Sequence, residues 1–206
     1  MRTAGKASYF QSMAEVACSL LDGEQMPDHS LHIRSATLDD LSRLQTLGRE
    51  TYRDHFAALW SDQGLEAFLD QDFSHEALRQ SLSQTQRHLW LIAFDDADAA
   101  IGFAKINWSR VQSLSGAPGA ELQKLYLRAS ATGRGWGAAL MQAVEQQAQL
   151  QGEDRLWLEV LQSNHGAQRF YQRSGFYPVG DISFSTDLQA IGMRVMERRL
   201  DWRSCI

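Results

Sequence analysis

A glycine-rich segment is the part of the sequence best suited to hold an anionic group. It reads Thr-Gly-Arg-Gly-Trp-Gly (132–137) and lies between strand-like alternation over 119–127 and helical periodicity from Ala138 onward. Gly133, Gly135 and Gly137 permit positive φ and close approach at a helix start, where free N–H groups attract phosphate. The Gly-x-Gly-x-x-Gly spacing of a dinucleotide-binding turn and the Gly-Lys-Ser/Thr of a P-loop are both missing. The glycines alone leave two interpretations open, a phosphate-binding turn and a tight connection in which they serve packing.

The elements that must position this turn alternate between strands and helices. Apolar alternation predicts strands at 31–36, 88–94, 101–108, 119–127, 155–161, 176–180 and 191–200. Helical spacing predicts helices over 38–60, 61–73, 74–85, 138–152 and 164–175, and Thr37, Ser61 and Ser74 are their candidate N-caps. The strands before and after the helix at 138–152 must run parallel through a right-handed crossover, while the hairpins are antiparallel. The sequence therefore predicts an α/β (α+β) domain with a mixed, mostly antiparallel, seven-stranded sheet.

Composition and charge argue against several classes of protein function. The chain has 206 residues, 44% hydrophobic and 22% charged, with only 3 prolines, which favours one domain at 31–200 between an N-terminal extension (1–30) and a C-terminal tail (201–206). A net charge of −5 disfavours a nucleic-acid partner. No apolar run approaches the roughly 20 residues of a transmembrane helix, and the N-terminus makes a poor signal peptide. Cys18 and Cys205 lack metal-ligand spacing, so the sequence predicts a cytoplasmic protein without a metal site.

Two motifs at a fixed separation carry a resemblance to a known family. The segments LYLRASATGRGWGAALM (125–141) and LWLEVLQSNHGAQRFYQRSGF (156–176) resemble the acetyl-CoA-binding core of the GCN5-related N-acetyltransferase (GNAT) superfamily. The resemblance covers about residues 31–200 and implies the GNAT fold, with helices on both sheet faces and a splayed parallel pair formed by the fourth and fifth strands. TYRDHFAALW, FLDQDFSHEALRQSL and the ISF before the last strand are similar to the spermidine/spermine acetyltransferase branch. Acetyl-CoA is the co-substrate that this resemblance implies.

The resemblance also implies which residues contact coenzyme A. The pyrophosphate is expected on the backbone of the turn, and the pantetheine arm along the backbone of the fourth strand. The residues concerned are Leu125, Leu127, Thr132, Gly133, Arg134, Gly135, Trp136, Gly137, Ala138 and Asn164. Thr132 departs from the family, which often has Gln or Arg at this position, but the expected cradle consists mainly of the backbone N–H groups of 133–138. A solvated arginine at Arg134 and a simple N-cap at Asn164 are the competing interpretations.

Catalytic roles follow from the same resemblance. The amide of Leu125 is expected to stabilise the oxyanion, and Tyr171 to serve as the acid for the departing thiolate; the alternative for Tyr171 is a buried aromatic with a hydrated hydroxyl. A carboxylate must accept the proton of the attacking amine, and Glu121 and Glu159 are the candidates. Strict strand alternation predicts that Glu121 shares a face with Leu125 and Leu127. Glu159 is also a candidate acceptor-binding residue, and it is equally well interpreted as a surface residue of its strand.

The acceptor is expected to be a primary amine of a small molecule. Tyr52, Asp54 and Phe56, after the first strand, combine aromatic faces with a carboxylate, as a polyamine would require. Aromatic residues at helical spacing are, however, more often core. The open alternatives are a protein N-terminus, a lysine, an amino acid or an aminoglycoside as acceptor, and a non-catalytic acyl-CoA sensor. The oligomeric state stays open, and a homodimer is one alternative because exposed last-strand edges often pair in this superfamily.

Overall fold

The computed structural model describes residues 31–200. The predicted N-terminal extension (1–30) and C-terminal tail (201–206) lie outside the described residues, as do both cysteines. The strands are β1 (His32–Ser35), β2 (His88–Phe94), β3 (Ala100–Val111), β4 (Pro118–Leu127), β5 (Arg155–Leu161), β6 (Tyr177–Ser185) and β7 (Ala190–Arg199). The helices are α1 (Leu41–Phe56), α2 (Asp62–Phe73), α3 (His75–Ser83), α4 (Trp136–Leu150) and α5 (His165–Arg173). No helix among residues 31–200 is long and apolar enough to cross a membrane.

The strands form one seven-stranded sheet in the order β1-β2-β3-β4-β5-β7-β6. Every neighbouring pair is antiparallel except β4 and β5, which are parallel and joined through α4. This arrangement confirms the predicted mixed sheet and the predicted parallel pair. The last strand of the chain, β7, lies inside the sheet, and β6 is the outer strand.

Two hydrophobic cores cover the two faces of the sheet. One face packs against α4 and α5, with Leu140, Val144 and Leu156 fully buried. The other packs against α1, α2 and α3, with Phe73 and Phe103 fully buried. We call them the α4 face and the α1 face.

Local hydrogen bonds define the ends of the helices, as predicted. Ser61 Oγ accepts the N–H of Gly64, and Ser74 Oγ accepts the N–H of Ala77. Thr37 and Asp40 form a reciprocal capping box in the 3-10 turn that leads into α1. Together these caps satisfy amide groups that a helix start leaves without partners.

One extra residue in β4 changes which side chains share a face. Lys105 lies opposite Lys124 whereas the next residue, Ile106, lies opposite Leu122, so Gln123 is a β-bulge. The bulge places Glu121 on the α1 face with Lys124 and Tyr126, and the leucines of β4 on the α4 face. The prediction that Glu121 shares a face with Leu125 and Leu127 was therefore wrong, because strict alternation assumes an unbulged strand.

Candidate active site

β4 and β5 separate soon after they meet. Their parallel pairing consists of Ala120 with Leu156 and Glu121 with Trp157, and it ends there. From residue 122 to 127, β4 is paired with β3 alone, so part of its backbone hydrogen-bonding capacity faces the gap. Leu125 and Leu127 lie along this free edge. Their predicted contacts with the pantetheine arm, and the oxyanion role of the Leu125 amide, stay predictions.

The glycine turn follows the free end of β4 and presents unpaired amide groups. Gly133 and Gly135 have φ of +77° and +76°, the left-handed region that favours glycine. Helix α4 begins directly afterward at Trp136, and no side chain caps it. Within the described residues, the N–H groups of 133–137 have no backbone or side-chain acceptor. Consecutive free donors at a helix N-terminus form an anion-binding site, and the pyrophosphate of coenzyme A fits that chemistry.

The side chains around the turn differ in what they can offer. The hydroxyl of Thr132 donates to the carbonyl of Ala129 at 2.8 Å and so stabilises the turn itself. The exposed guanidinium of Arg134 lies 5.1 Å from the Trp136 ring centroid and has no carboxylate partner among residues 31–200. The Trp136 ring is buried, so only its amide is available to a ligand. The N–H of Ala138 already donates to the carbonyl of Gly135 at 3.0 Å, which removes one donor from the predicted set.

Tyr171 lies at the α4 face with its ring half-buried. The ring centroid is 5.2 Å from that of Phe170 and 5.8 Å from that of Phe176. Its hydroxyl donates to no group in the described part of the chain, yet it is not sealed from solvent. Burial raises the pKa of Tyr171 to about 12, so the hydroxyl is protonated at neutral pH. A protonated donor without an internal acceptor can act on a ligand.

Glu121 lies where β4 and β5 part, and a buried asparagine holds it. Asn107 Nδ2 donates to Glu121 Oε2 at 2.7 Å, and Arg110 Nε lies 3.6 Å from the same oxygen. His88 Nδ1 is 2.7 Å from Asn107 Oδ1, so His88 must donate through that nitrogen. Burial is the main cause that lowers the pKa of His88. Asn107 and His88 were missed by the sequence analysis, because only the strand register brings them to Glu121.

Glu159 lies on the same face of the gap as Glu121. Glu121 lies beside Trp157 in the parallel pair, so their side chains share one face of the sheet. Glu159 lies two residues after Trp157 in β5 and therefore shares that face as well. Partial burial and the charge of Glu121 both raise the pKa of Glu159. Two carboxylates therefore face one side of the β4–β5 gap, although Glu159 is much more exposed than Glu121.

The three predicted acceptor-binding residues of α1 separate in space. Tyr52 is only 8% exposed, its ring is 4.3 Å from that of Phe68, and its hydroxyl accepts a hydrogen bond from Trp60. Phe56 is half-buried and 5.8 Å from Tyr126, near the free end of β4. Asp54 is exposed and lines a surface depression of about 400 Å³ together with Arg128 and Ser130. Phe56 is thus the member of this set that the fold brings closest to β4.

The site has the surroundings expected of a known family of enzymes. Residues 48–176 match the acetyltransferase (GNAT) family. The chain is 28% identical over 150 residues to the spermidine N(1)-acetyltransferase of Thermoplasma acidophilum. The aligned region covers 71% of this chain and 88% of that enzyme. It is 27% identical over 137 residues to an uncharacterized N-acetyltransferase of Lactobacillus delbrueckii subsp. lactis, covering 66% of this chain and 78% of the relative.

Solved structures agree on the fold. The crystal structure of the PaiA N-acetyltransferase from Thermoplasma acidophilum in complex with coenzyme A has a TM-score of 0.64 and 25% identity, covering 82% of this chain and 99% of that one. A GCN5-related N-acetyltransferase from Rhodopseudomonas palustris has a TM-score of 0.65 at 19% identity, covering 87% of this chain and 100% of the other. The family resemblance carried by the two sequence motifs is confirmed.

Proposed function

Because the chain belongs to the acetyltransferase (GNAT) family and uses acetyl-CoA as co-substrate, we propose that it acetylates a primary amine of a small molecule, with polyamines as the leading acceptor class. The observation that carries the proposal is the free amide array of 133–137 beside the gap between β4 and β5. The array binds the pyrophosphate, and the free edge of β4 aligns the pantetheine arm in the gap. The thioester then lies between Tyr171 on one side and the carboxylates of the α1 face on the other.

Tyr171 serves the sulfur of the thioester. A thiol has a pKa of about 8.5, whereas burial raises that of Tyr171 to about 12. Complete proton transfer from tyrosine to thiolate would run uphill by about 3.5 pKa units, or about 5 kcal/mol. Tyr171 therefore acts mainly as a hydrogen-bond donor that stabilises the charge developing on sulfur.

Glu121 accepts the proton of the attacking amine. An alkylammonium group has a pKa near that of lysine, about 10.4, so it must lose a proton before it can attack at neutral pH. Asn107 leaves one oxygen of Glu121 uncommitted, because its hydrogen bond and the nearby Arg110 both involve Oε2. That oxygen can accept the proton directly or through a water molecule.

Polyamines are favoured by charge and by similarity. Glu121 and Glu159 place two carboxylates on one face of the gap, which suits an acceptor with several ammonium groups. The relative from Thermoplasma acidophilum is named a spermidine acetyltransferase. We also infer a cytoplasmic location, since a chain with 2 cysteines and no disulfide framework suits a reducing compartment.

The test is the release of free thiol from acetyl-CoA with a panel of amines. Spermidine, spermine, amino acids, aminoglycosides and N-terminal peptides are compared at equal concentration, and products are identified by mass. Turnover confined to spermidine and spermine would support the full proposal. Turnover with another amine would keep the enzyme class and reject the polyamine. Binding of acetyl-CoA without turnover on any amine would favour a sensor instead.

A homodimer formed through the edge strand is part of the same proposal. Exposed apolar side chains occur along β6 and the loop that follows it, namely Tyr177, Val179, Phe184 and Leu188. An exposed apolar sheet edge is suited to pairing with a second copy. Light scattering on the full chain distinguishes a mass of about 46 kDa from the monomer mass of 23.2 kDa.

A further inference from the structure

A second cavity lies on the α1 face, away from the glycine turn. It is bounded by α2, α3, β2 and β3, and its volume is about 310 Å³. Its lining combines cationic and neutral polar groups, including Lys105, Arg87, His88, Ser81 and Gln84. A space of this size is large enough for a small polar ligand.

Lys105 contributes an ammonium group without an anionic partner. It lies 5.3 Å from the centroid of the Trp90 ring, and no carboxylate is within salt-bridge distance among residues 31–200. The only acidic residue of the lining, Asp72, is already bound to the buried ammonium of Lys124. The register places Lys124 directly opposite Lys105, and the charges of Asp72 and then Glu121 only partly offset this pair of ammonium groups.

The charge imbalance has an electrostatic cost. Burial, and then the charge of Lys124, lower the pKa of Lys105 to about 8, so keeping this ammonium charged is unfavourable. An anion in the cavity would relieve the cost, whereas a further cation would increase it. The cavity is therefore better suited to an anion than to a polyamine.

We propose that the cavity binds a small oxyanion, a carboxylate or a phosphate, with Lys105 Nζ as its principal ligand. Arg87 adds a second positive charge at the cavity wall. Ser81 Oγ accepts a hydrogen bond from Trp90 Nε1 at 2.9 Å and donates to no group in the described residues, so its hydrogen is free for the ligand. The bound anion also lies next to His88, which holds the Asn107 that positions Glu121.

The binding is pH-dependent in a defined direction. Asp72 on α2, Lys124 and Glu121 on β4, Arg110 on β3, and Arg87 and His88 before and in β2 are the charged or titratable groups around Lys105. Among them, Lys105 is the cation that loses its proton near pH 8. The affinity for succinate, whose carboxylates stay ionised in this range, therefore falls by up to about tenfold per pH unit above 8.

The experiment is calorimetric titration of the full chain with sodium succinate and, separately, inorganic phosphate. Coenzyme A is present at saturation so that the turn before α4 is occupied, and ionic strength is held constant with sodium chloride. Lys105→Met is expected to weaken the binding at least tenfold, and Lys105→Arg to retain most of it. Arg79→Met is the matched control, because Arg79 is an exposed cation of α3 that contacts Glu76 and lies outside the cavity lining.

Saturable binding of succinate or phosphate that depends on Lys105 supports the proposal, and the tighter ligand identifies the class of oxyanion. The absence of binding by both, or equal losses in Lys105→Met and Arg79→Met, overturns it. A pH profile of the unmodified protein tests the same assignment without any variant, since affinity that does not fall above pH 8 excludes Lys105 as the ligand. The readout is anion binding rather than acetyl transfer, so it is independent of the acceptor proposed above.

Discussion

Replacing Gly137 with alanine separates the two roles that a glycine can have at the start of α4. Gly137 lies in the first turn of the helix and does not have positive φ. An added Cβ would lie 3.6 Å from Leu127 Cδ1 and 3.7 Å from Phe170 Cε2, which are ordinary van der Waals distances. Gly→Ala in a helix stabilises by about 0.5–1 kcal/mol when the methyl group fits. Because a domain of this size gains about 2–4 °C per kcal/mol, the melting temperature should rise by about 1–4 °C.

Cofactor binding should change in the opposite direction. The amide of Gly137 is the last of the free donors of 133–137, and the new methyl group would occupy space between the turn and Leu127. If the pyrophosphate and pantetheine pass there, the Kd for coenzyme A should increase at least about tenfold, equivalent to about 1.4 kcal/mol. A more stable protein with weaker cofactor binding is the signature of a glycine retained for the ligand.

The comparison variant is Gly135→Ala. Gly135 has φ of +76° and nothing within 4 Å of an added Cβ. Alanine at this position would therefore destabilise the folded state through backbone strain alone, by about 1–2 kcal/mol. Both stability and coenzyme A affinity should fall in this variant. Thermal unfolding with and without coenzyme A, together with calorimetric Kd values, measures both effects. An unchanged Kd in Gly137→Ala would refute the pyrophosphate assignment at this residue, and a lowered melting temperature would refute the packing argument.

Four further substitutions test the site and the fold. Tyr171→Phe should lower kcat about 100-fold and leave the Kd for acetyl-CoA unchanged, because the hydroxyl bonds to nothing else in the described chain; equal kcat values would remove it from the mechanism. Glu121→Gln should lower kcat by a similar factor, whereas Glu159→Gln should mainly raise the KM of the amine; steady-state kinetics that show the reverse would exchange their roles. Asp40→Asn should destabilise by about 2 kcal/mol at pH 7, since Arg34 lowers the pKa of Asp40 to about 2. A carboxyl group whose pKa is lower in the folded than in the unfolded state stabilises the fold above its unfolded pKa, and this stabilisation is lost as the pH falls towards the folded pKa. Urea unfolding at pH 3 should therefore show about half of the difference in unfolding free energy between the two proteins that is seen at pH 7. A difference that does not change with pH would exclude the ion pair as its cause.

Sequence signals that act over a few residues predicted most of the elements. The caps at Thr37, Ser61 and Ser74 depend on a side chain and an amide two or three residues later, so the local sequence is sufficient to define them. The glycine turn is likewise local, because positive φ at Gly133 and Gly135 requires residues without a side chain. The parallel crossover followed from the order of the elements.

The exact ends of the strands and helices, and the identity of the edge strand, were harder to predict from the sequence. The strand predicted at 176–180 extends to Ser185, because pairing with β7 continues past the irregularity near Gly180. The predicted helix over 38–60 is a 3-10 turn, α1 and a second 3-10 turn. That β6 forms the edge depends on where β7 inserts, and this is a choice between strands far apart in sequence.

The chemistry of the α1 face was decided by tertiary structure alone. Glutamine is not a residue type typical of turns or bulges. Gln123 forms a bulge only because of the way β4 pairs with β3. That one residue puts Glu121 and Lys124 on the same face, where Asn107 holds Glu121 and Asp72 binds Lys124. A sequence specifies which side chains are present and their local geometry. Which charges lie opposite each other, and which remain without a partner, depends on contacts between strands and helices that no local pattern encodes.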